Sequence, residues 1–261
     1  MQILTKDASI TLYNMGFDEA YHNVNDGALQ ETLHKHILPA LALKKESQTL
    51  NVLDICFGLG FNALSLQYAI KKFGFNGRVN VDSPEINGEL LNTLRNHPYP
   101  KELECAGEVI DILQHKQEYH KENFHLFLHL GDAREILKEF LDAIKTGKRE
   151  KFNVIFQDPF SPFKNHHLWT FEYFKTLYVL SSNDVIVTTY SHNSCMLYSA
   201  FLAGFYSFKL VQKNVRDSII FMKVKEIPKE LLQTLDFAEK IVAINIENKI
   251  KANPNLKGLY D

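Results

Sequence analysis

The run Phe152-Asn-Val-Ile-Phe-Gln157 leads directly into Asp158-Pro-Phe-Ser-Pro-Phe-Lys-Asn-His-His-Leu-Trp-Thr170. A short apolar run of this kind reads as a buried strand, and Asp158-Pro159 reads as the turn that ends it. Such a strand end presents a carboxylate, a bare carbonyl and an aromatic face at the carboxyl edge of a sheet. In an open α/β sheet that edge is where ligands bind. An amine or base nitrogen needs acceptors to orient its lone pair and a flat wall to lie against. Asp158, Pro159 and Phe160 supply both.

Working outward, short apolar runs alternate with helical patterns from residue 50 onward. Leu50–Cys56, Arg78–Asp82, Phe124–Leu130, Phe152–Gln157 and Asp184–Thr189 read as strands. The helices between and after them are expected over Asn62–Phe73, from Ser83-Pro84, over Ala133–Lys145, over Leu168–Leu180 and over Ser194–Leu202. Proline is favoured in a first helical turn. Ser207–Val211 and Ser218–Val224 have no helix between them and read as a closing hairpin. Alternation of this kind implies a parallel sheet with helices on both faces. With a terminal antiparallel hairpin it is the pattern of a Rossmann-like, seven-stranded, mostly parallel methyltransferase fold. Residues 1–49 form an extension with a strand at Ser9–Tyr13 and a helix at Ala28–Leu43, residues 99–121 a polar helical insertion, and residues 225–261 a tail with an amphipathic helix from Pro228 to about 248. No linker interrupts the chain, so residues 1–261 read as one domain with its core at 50–224.

At 261 residues, 45% hydrophobic and 23% charged, the composition is that of a globular protein. No run is long enough to span a bilayer, and the first residues lack the apolar core of a secretory signal. Cys56, Cys105 and Cys195 are widely spaced, as expected for reduced thiols in a cytoplasm. A net charge of −2 argues against a strongly basic nucleic-acid binder but leaves room for local basic faces. Candidates are Lys145, Lys148, Arg149 and Lys151, then Lys164 with His166 and His167, then Lys209, Lys213 and Arg216. The histidines, His34 and His36 included, have no metal-ligand spacing and read as satisfied or exposed side chains.

The first strand runs into Asp54-Ile-Cys-Phe-Gly58-Leu-Gly60-Phe-Asn62-Ala63. Glycines there let the chain turn sharply and let backbone N–H groups approach a ligand. Asp82 closes the second strand, where an acid accepts ribose hydroxyls in both nicotinamide and S-adenosylmethionine (SAM) sites. Asp132 closes the third, either capping the next helix or accepting from an adenine amine. Asp158 closes the fourth. A nicotinamide enzyme needs only the first of these acids, whereas a sulfonium cofactor carrying an ammonium suits an acid-rich pocket. Trp169 reads as a core anchor, Phe160 and Phe163 as stacking partners for a base, and His166 and His167 as borders of the entrance.

Asp158-Pro159-Phe160 is close to the Asp-Pro-Pro-aromatic element of amino-group methyltransferases. More specifically, Tyr21-His22, Gly27-Ala28, Glu31-Thr32, the Asp54–Asn62 segment, Gly131-Asp132-Ala133-Arg134 and Asp158-Pro-Phe-Ser-Pro162 with Lys164-Asn165 and Leu168-Trp169-Thr170 resemble the methyltransferase module of the MnmC family. That family completes 5-methylaminomethyl-2-thiouridine at the tRNA wobble position, often fused to an FAD-dependent oxidoreductase. The resemblance spans residues 9 to about 205 and implies a stand-alone methyltransferase. It implies that Asp54, Gly58, Gly60, Asn62, Asp82, Asp132 and Ala133 line the SAM pocket, that Tyr21 and Glu31 close it, and that Asp158 is catalytic beside the cofactor. Pro159, Phe160, Phe163, Lys164 and His166 are the expected substrate contacts. Asp82 stands where the family usually has Glu, Pro159 where it often has a small residue, and Val215-Arg216-Asp217 replaces its Lys-Arg element.

The expected reaction is SAM-dependent N-methylation of 5-aminomethyl(-2-thio)uridine at position 34, in the anticodon region of tRNA. The base would be flipped out to reach the site, and a separate oxidoreductase or aminomethyluridine-forming enzyme would supply it. Two alternatives use the same fold: a small-amine or polyamine methyl- or aminopropyltransferase, and a non-catalytic tRNA-binding module. A nicotinamide oxidoreductase fits the glycine loop alone.

Overall fold

In the computed structural model, which describes residues 1–227 and 238–261, the chain opens with a small antiparallel sheet of β1 (Gln2–Leu4), β2 (Ile10–Asn14) and β3 (Glu19–Ala20). A helix follows in three continuous pieces: α1 (Ala28–Thr32), a π-helical turn over Leu33–Ile37, and α2 (Leu38–Leu43). Then the alternation begins. β4 (Thr49–Ile55) leads into α3 (Phe61–Lys72), and β5 (Arg78–Glu85) into α4 (Leu90–Leu94) and α5 (Ala106–Lys116). β6 (Glu118–Lys121) and β7 (Phe124–Leu130) precede α6 (Ala133–Lys145). β8 (Phe152–Gln157) precedes α7 (Phe171–Leu180), and β9 (Ser181–Thr189) precedes α8 (Ser194–Leu202). The hairpin of β10 (Tyr206–Gln212) and β11 (Ser218–Met222), then β12 (Ala238–Ile244) and α9 (Ile246–Ala252), complete the described elements.

The large sheet has nine strands in the order β12-β10-β11-β9-β8-β4-β5-β7-β6. Its inner seven, β7-β5-β4-β8-β9-β11-β10, are the expected mostly parallel sheet with its antiparallel hairpin. Two additional strands, β6 and β12, pair antiparallel at the edges. Side chains alternate between faces along each strand. Leu50 and Val52 of β4 pack with α1, α3 and α5, while Leu53 and Ile55 pack with α6, α7 and α8. The chain order reverses at β4, which has β5 on one side and β8 on the other. That reversal opens a crevice above the carboxyl ends of the strands.

Three sequence expectations are corrected. No helix opens at Ser83-Pro84, because both residues belong to β5, which runs on to Glu85. The ladder to β4 stops at Asp82, so Pro84 lies where β5 faces only β7 in register. A missing N–H is tolerated at such a free edge. The polar insertion contributes β6 as well as α5. The tail expected as one helix to about 248 is a strand over Ala238–Ile244, with α9 only afterwards, and its first part, 228–237, lies outside the described residues. Among the described residues no helix is long and apolar enough to cross a membrane.

Gln157, the last residue of β8, is wholly buried and anchors the loop that follows. Its Nε2 donates to the Leu168 carbonyl at 2.7 Å, and its Oε1 accepts from the Tyr173 hydroxyl at 2.8 Å. Gln157→Leu would strand both partners without water. A loss of about 2–5 kcal/mol is expected in urea unfolding, since each orphaned group costs roughly 1–3 kcal/mol. Adding Tyr173→Phe should recover part of it.

Candidate active site

A cavity of about 580 Å³ lies over the carboxyl ends of β4, β5 and β8. Its floor is the strand-to-helix loop Cys56–Asn62, with Glu85–Asn87 on one side and Asp158–Phe160 on the other. The N-terminal segment forms the roof through Phe17, Glu19, Tyr21 and His22. That roof is tied down: Glu19 Oε2 accepts from the Ser161 N–H at 3.0 Å and the Ser161 hydroxyl at 2.9 Å, and Lys164 pairs with Asp18 at 2.8 Å. Gly58 takes φ +53, and a Cβ there would meet the Tyr21 ring at 3.3 Å. Cys56 takes φ 69 without being glycine. Strained backbone of this kind concentrates at functional sites.

Asp158 is the carboxylate at the wall. Its Oδ2 accepts from Asn62 Nδ2 at 3.0 Å, and the same amide nitrogen donates to Asp54 Oδ1 at 3.0 Å. Asp54 is wholly enclosed and does not line the cavity; it acts through Asn62. Burial pushes its pKa up to about 8, against the hydrogen bonds from Asn62 and Ser83. Ser83 Oγ lies 2.8 Å from the Asp54 carbonyl and 3.1 Å from Asp54 Oδ2. The Ser83 hydroxyl is thus shared between the Asp54 carbonyl and its carboxyl group. For Asp158 burial also raises the pKa, but His36, His22 and Asn62 outweigh it and hold it below the usual carboxylate range.

The second strand carries two acids, and the structure separates them. Asp82 does not reach the cavity: Arg149 donates to both its oxygens at 2.6 and 2.7 Å, and His129 Nε2 lies 2.8 Å from Oδ1. The guanidinium in turn lies 4.2 Å over the Phe140 ring. Glu85, three residues on, lines the cavity, and its Oε2 accepts from the Gly58 N–H at 2.8 Å. Sequence reasoning missed Glu85 because Ser83-Pro84 looked like a helix start. Asp132 is the exposed N-cap of α6, accepting from the Arg134 and Glu135 N–H groups, and neither it nor Ala133 lines the cavity. Gly60 also lies outside the lining, at φ +75 with its N–H on the Phe57 carbonyl. Tyr21, Glu31, Gly58, Asn62 and Asp158 do face the cavity. Glu31 is held from behind by Lys35 at 2.8 Å and by the Asn23 N–H at 2.6 Å.

Of the expected substrate contacts, Pro159 and Phe160 line the cavity and Phe163, Lys164 and His166 do not. Phe163 projects into solvent, Lys164 is spent on Asp18, and His166 Nε2 lies 2.8 Å from the Tyr260 carbonyl. Phe160 is stacked by Phe17 at 4.6 Å and flanked by Tyr21 at 5.0 Å. Trp169 is wholly buried, and its Nε1–H donates to the Phe160 carbonyl at 2.8 Å, fixing that loop. Tyr190 lines the same wall and donates its hydroxyl to the Pro159 carbonyl at 2.9 Å. No local sequence signal points to Phe17 or Tyr190, which arrive from β2–β3 and the end of β9. Among the basic residues Arg149 is used internally, Lys209 pairs with Asp217 at 2.7 Å, and Arg216 reaches the cavity with a largely exposed guanidinium.

Residues 105–214 match a family of S-adenosyl-L-methionine-dependent methyltransferases. The crystal structure of MNMC2 from Aquifex aeolicus aligns with a TM-score of 0.72 and 27% identity, over 90% of this chain and 74% of that one. The chain is similar to the methyltransferase module of MnmC. It is also 25% identical over 217 residues to the tRNA 5-methylaminomethyl-2-thiouridine biosynthesis bifunctional protein MnmC of Legionella pneumophila, covering 74% of this chain and 32% of that protein. An uncharacterized protein of Methanocaldococcus jannaschii is 28% identical over 191 residues, 72% of this chain and 49% of its own length. The module thus spans about half the length of the archaeal relative and about a third of the Legionella protein.

The cofactor of the module is SAM, and the cavity fits it. Glu85, Asp158 and Glu31 place carboxylates around the cavity, suited to a ligand with a sulfonium and an ammonium. Asn62 Oδ1 is buried without a partner and is an acceptor in waiting. When bound, SAM supplies a methyl group on a positively charged sulfur.

The Asp82–Arg149 pair is testable without a ligand. Burial raises the Asp82 pKa, but His129 and Arg149 outweigh it, so the folded value lies below the unfolded one. Its stabilisation is therefore complete above an unfolded pKa of about 3.9 and disappears as pH falls through the lower folded value. Arg149→Met would leave a buried carboxylate short of its partner, at a cost of about 3 kcal/mol at pH 7. The gap to wild type in chemical denaturation should close as pH falls through the lowered folded value, below which the carboxyl is protonated in both.

Proposed function

We propose that the module transfers the methyl group of SAM to the amine of 5-aminomethyl(-2-thio)uridine at wobble position 34 of tRNA. The observation that carries this reading is Asp158: a carboxylate at the cavity wall, fixed by Asn62 and framed by Pro159, Phe160 and Tyr190. A primary alkylamine has a pKa of about 10 and must lose a proton before it attacks. Asp158 orients the neutral amine by accepting one of its hydrogens, and alignment of this kind supplies much of the catalysis in a displacement. Phe160 and its neighbours give the base a flat wall, and Arg216 offers an exposed cation at the mouth for a phosphate.

On the cofactor side Glu85 takes the ribose hydroxyls, the Gly58 backbone lies against the cofactor, and Asn62 Oδ1 accepts from its ammonium. Tyr21 covers it. The similarity to the Legionella tRNA 5-methylaminomethyl-2-thiouridine biosynthesis protein supports the acceptor. The aminomethyl group would be made by a separate enzyme, in the cytoplasm where tRNA and SAM meet.

Methyl transfer from tritiated SAM to tRNA bearing 5-aminomethyluridine tests the reading, with unmodified tRNA and spermidine as controls. Label is expected only in the aminomethyl tRNA. Asp158→Asn should lower kcat by about a hundredfold or more while leaving SAM affinity within a few fold. Label in spermidine, or equal labelling of unmodified tRNA, would sink the proposal. Independently, Glu85→Gln is expected to weaken SAM about tenfold in calorimetry, since hydrogen bonds to a charged group contribute roughly 1.5–3 kcal/mol. Asp82→Asn should leave that affinity unchanged and lower only Tm.

A further inference from the structure

Behind Asp158, on the side away from the cavity, stands His36. It sits in the π-helical turn Leu33–Ile37 and is wholly buried. Turns of this rare type recur at functional sites. His36 Nδ1 lies 2.8 Å from Thr188 Oγ1 of β9, and the ring packs edge-on against Phe156 of β8 at 5.8 Å. Its other nitrogen, Nε2, is buried with no hydrogen-bond partner, and Asp158 Oδ1 lies 3.4 Å away. A neutral imidazole carrying its proton on Nδ1 donates to Thr188 and turns the Nε2 lone pair toward the carboxylate. In that neutral form two acceptors face each other with no proton between them, whereas the imidazolium form supplies the positive charge that holds Asp158 below the usual carboxylate range. A proton placed there satisfies both.

We infer that His36 is the positioning residue that takes up, through Asp158, the proton an acceptor ammonium must release before methyl transfer. The inference rests on the amine-methylating reading above. A carboxylate is a poor base for an alkylammonium, and imidazole is intrinsically the stronger base of the two. The step balances as follows. The ammonium gives a proton to Asp158 and Asp158 passes one to Nε2, leaving an imidazolium whose Nδ1–H remains on Thr188. The freed nitrogen lone pair forms the N–C bond while the C–S bond breaks and its electron pair stays on sulfur. The products are a secondary ammonium and S-adenosylhomocysteine, and the imidazolium proton returns to solvent through Asp158 once the cavity opens.

The neighbouring titratable groups are committed elsewhere. Asp54 is bonded to Asn62 and Ser83, and Tyr190 donates to the Pro159 carbonyl. Lys35, adjacent on the same turn, is bound to Asp26 and Glu31 at 2.6 and 2.8 Å, and Arg216 also lies on Asp26. His22, on the cavity side, is bonded through Nδ1 to Thr11 at 3.0 Å, and burial lowers its pKa. His36 is the imidazole with a free nitrogen in reach of Asp158 among the described residues.

The experiment is the pH profile of kcat, from 6.5 to 9.5, for wild type and His36→Gln on aminomethyl tRNA at saturating SAM. Glutamine keeps polar capacity but cannot titrate. A loss of about a hundredfold at pH 7 is expected, narrowing to a few fold at pH 9.5, where a good share of the amine is already neutral. SAM affinity should stay within about twofold. A loss of equal size at every pH, or no loss at pH 7, would overturn the relay. Thr188→Val guards against a folding defect in the first variant: it should lose about tenfold at pH 7 and narrow likewise, and a flat deficit counts against the relay. Wild type that labels no amine at any pH removes the acceptor reading and the relay together, whereas labelling with flat variant profiles removes the relay alone.

Discussion

A single amide nitrogen, Asn62 Nδ2, donates to Asp54 and to Asp158 at 3.0 Å each. Two enclosed carboxyl groups this close repel if both are ionised. The protein resolves the conflict by environment. Asp54, sealed under the sheet edge, has its pKa pushed up by burial to about 8, which favours its neutral form. Asp158, open to the cavity and bonded by Asn62, has its pKa held below the usual carboxylate range. The arrangement locks together β4, which carries Asp54, the first turn of α3, which carries Asn62, and the end of β8, which carries Asp158. Displacing any of the three elements would break the bridge that sets the charge of the site.

The same economy governs the other acids. Asp82 and Glu85 are three residues apart in one strand, and an odd separation sends side chains to opposite faces. Asp82 therefore meets Arg149 and Phe140 on the α6 side, where it is a structural anion. Glu85 stands at the carboxyl end and receives the Gly58 N–H. A buried ion pair such as Asp82–Arg149 contributes little net stability over an apolar substitute, but losing one partner is costly. The buried set of Asp26, Glu31 and Lys35 behind the cavity has the same character.

Much of the fold was legible because its signals are local. Phe124–Leu130, Ala133–Lys145, Phe152–Gln157 and Ser194–Leu202 form as read, since apolar runs and amphipathic periodicity, with a cap at Asp132, need no distant partner to be recognised. The errors fall where tertiary contacts override local preference. Pro84 is a helix-start signal that β7 holds in a strand. Residues 238–244 follow β12 because β10 offers a free edge to pair with.

The sequence by itself determined an alternating α/β sheet with carboxylates at its strand ends, and singled out Asp158, Asn62 and Gly58 because turns, glycines and strand-ending acids are written in adjacent residues, while Tyr21 and Glu31 came from the resemblance alone. Only the tertiary structure decided which acids face the cavity. Asp82, Asp132 and Glu85 differ not in chemistry but in what surrounds them: a guanidinium, a helix N-terminus, or open space beside Gly58. It likewise brought Phe17 and Tyr190 to the cavity, and set His36 beside Thr188, 152 residues further along the chain. Such proximity is set by the sheet's strand order, which no window of sequence contains.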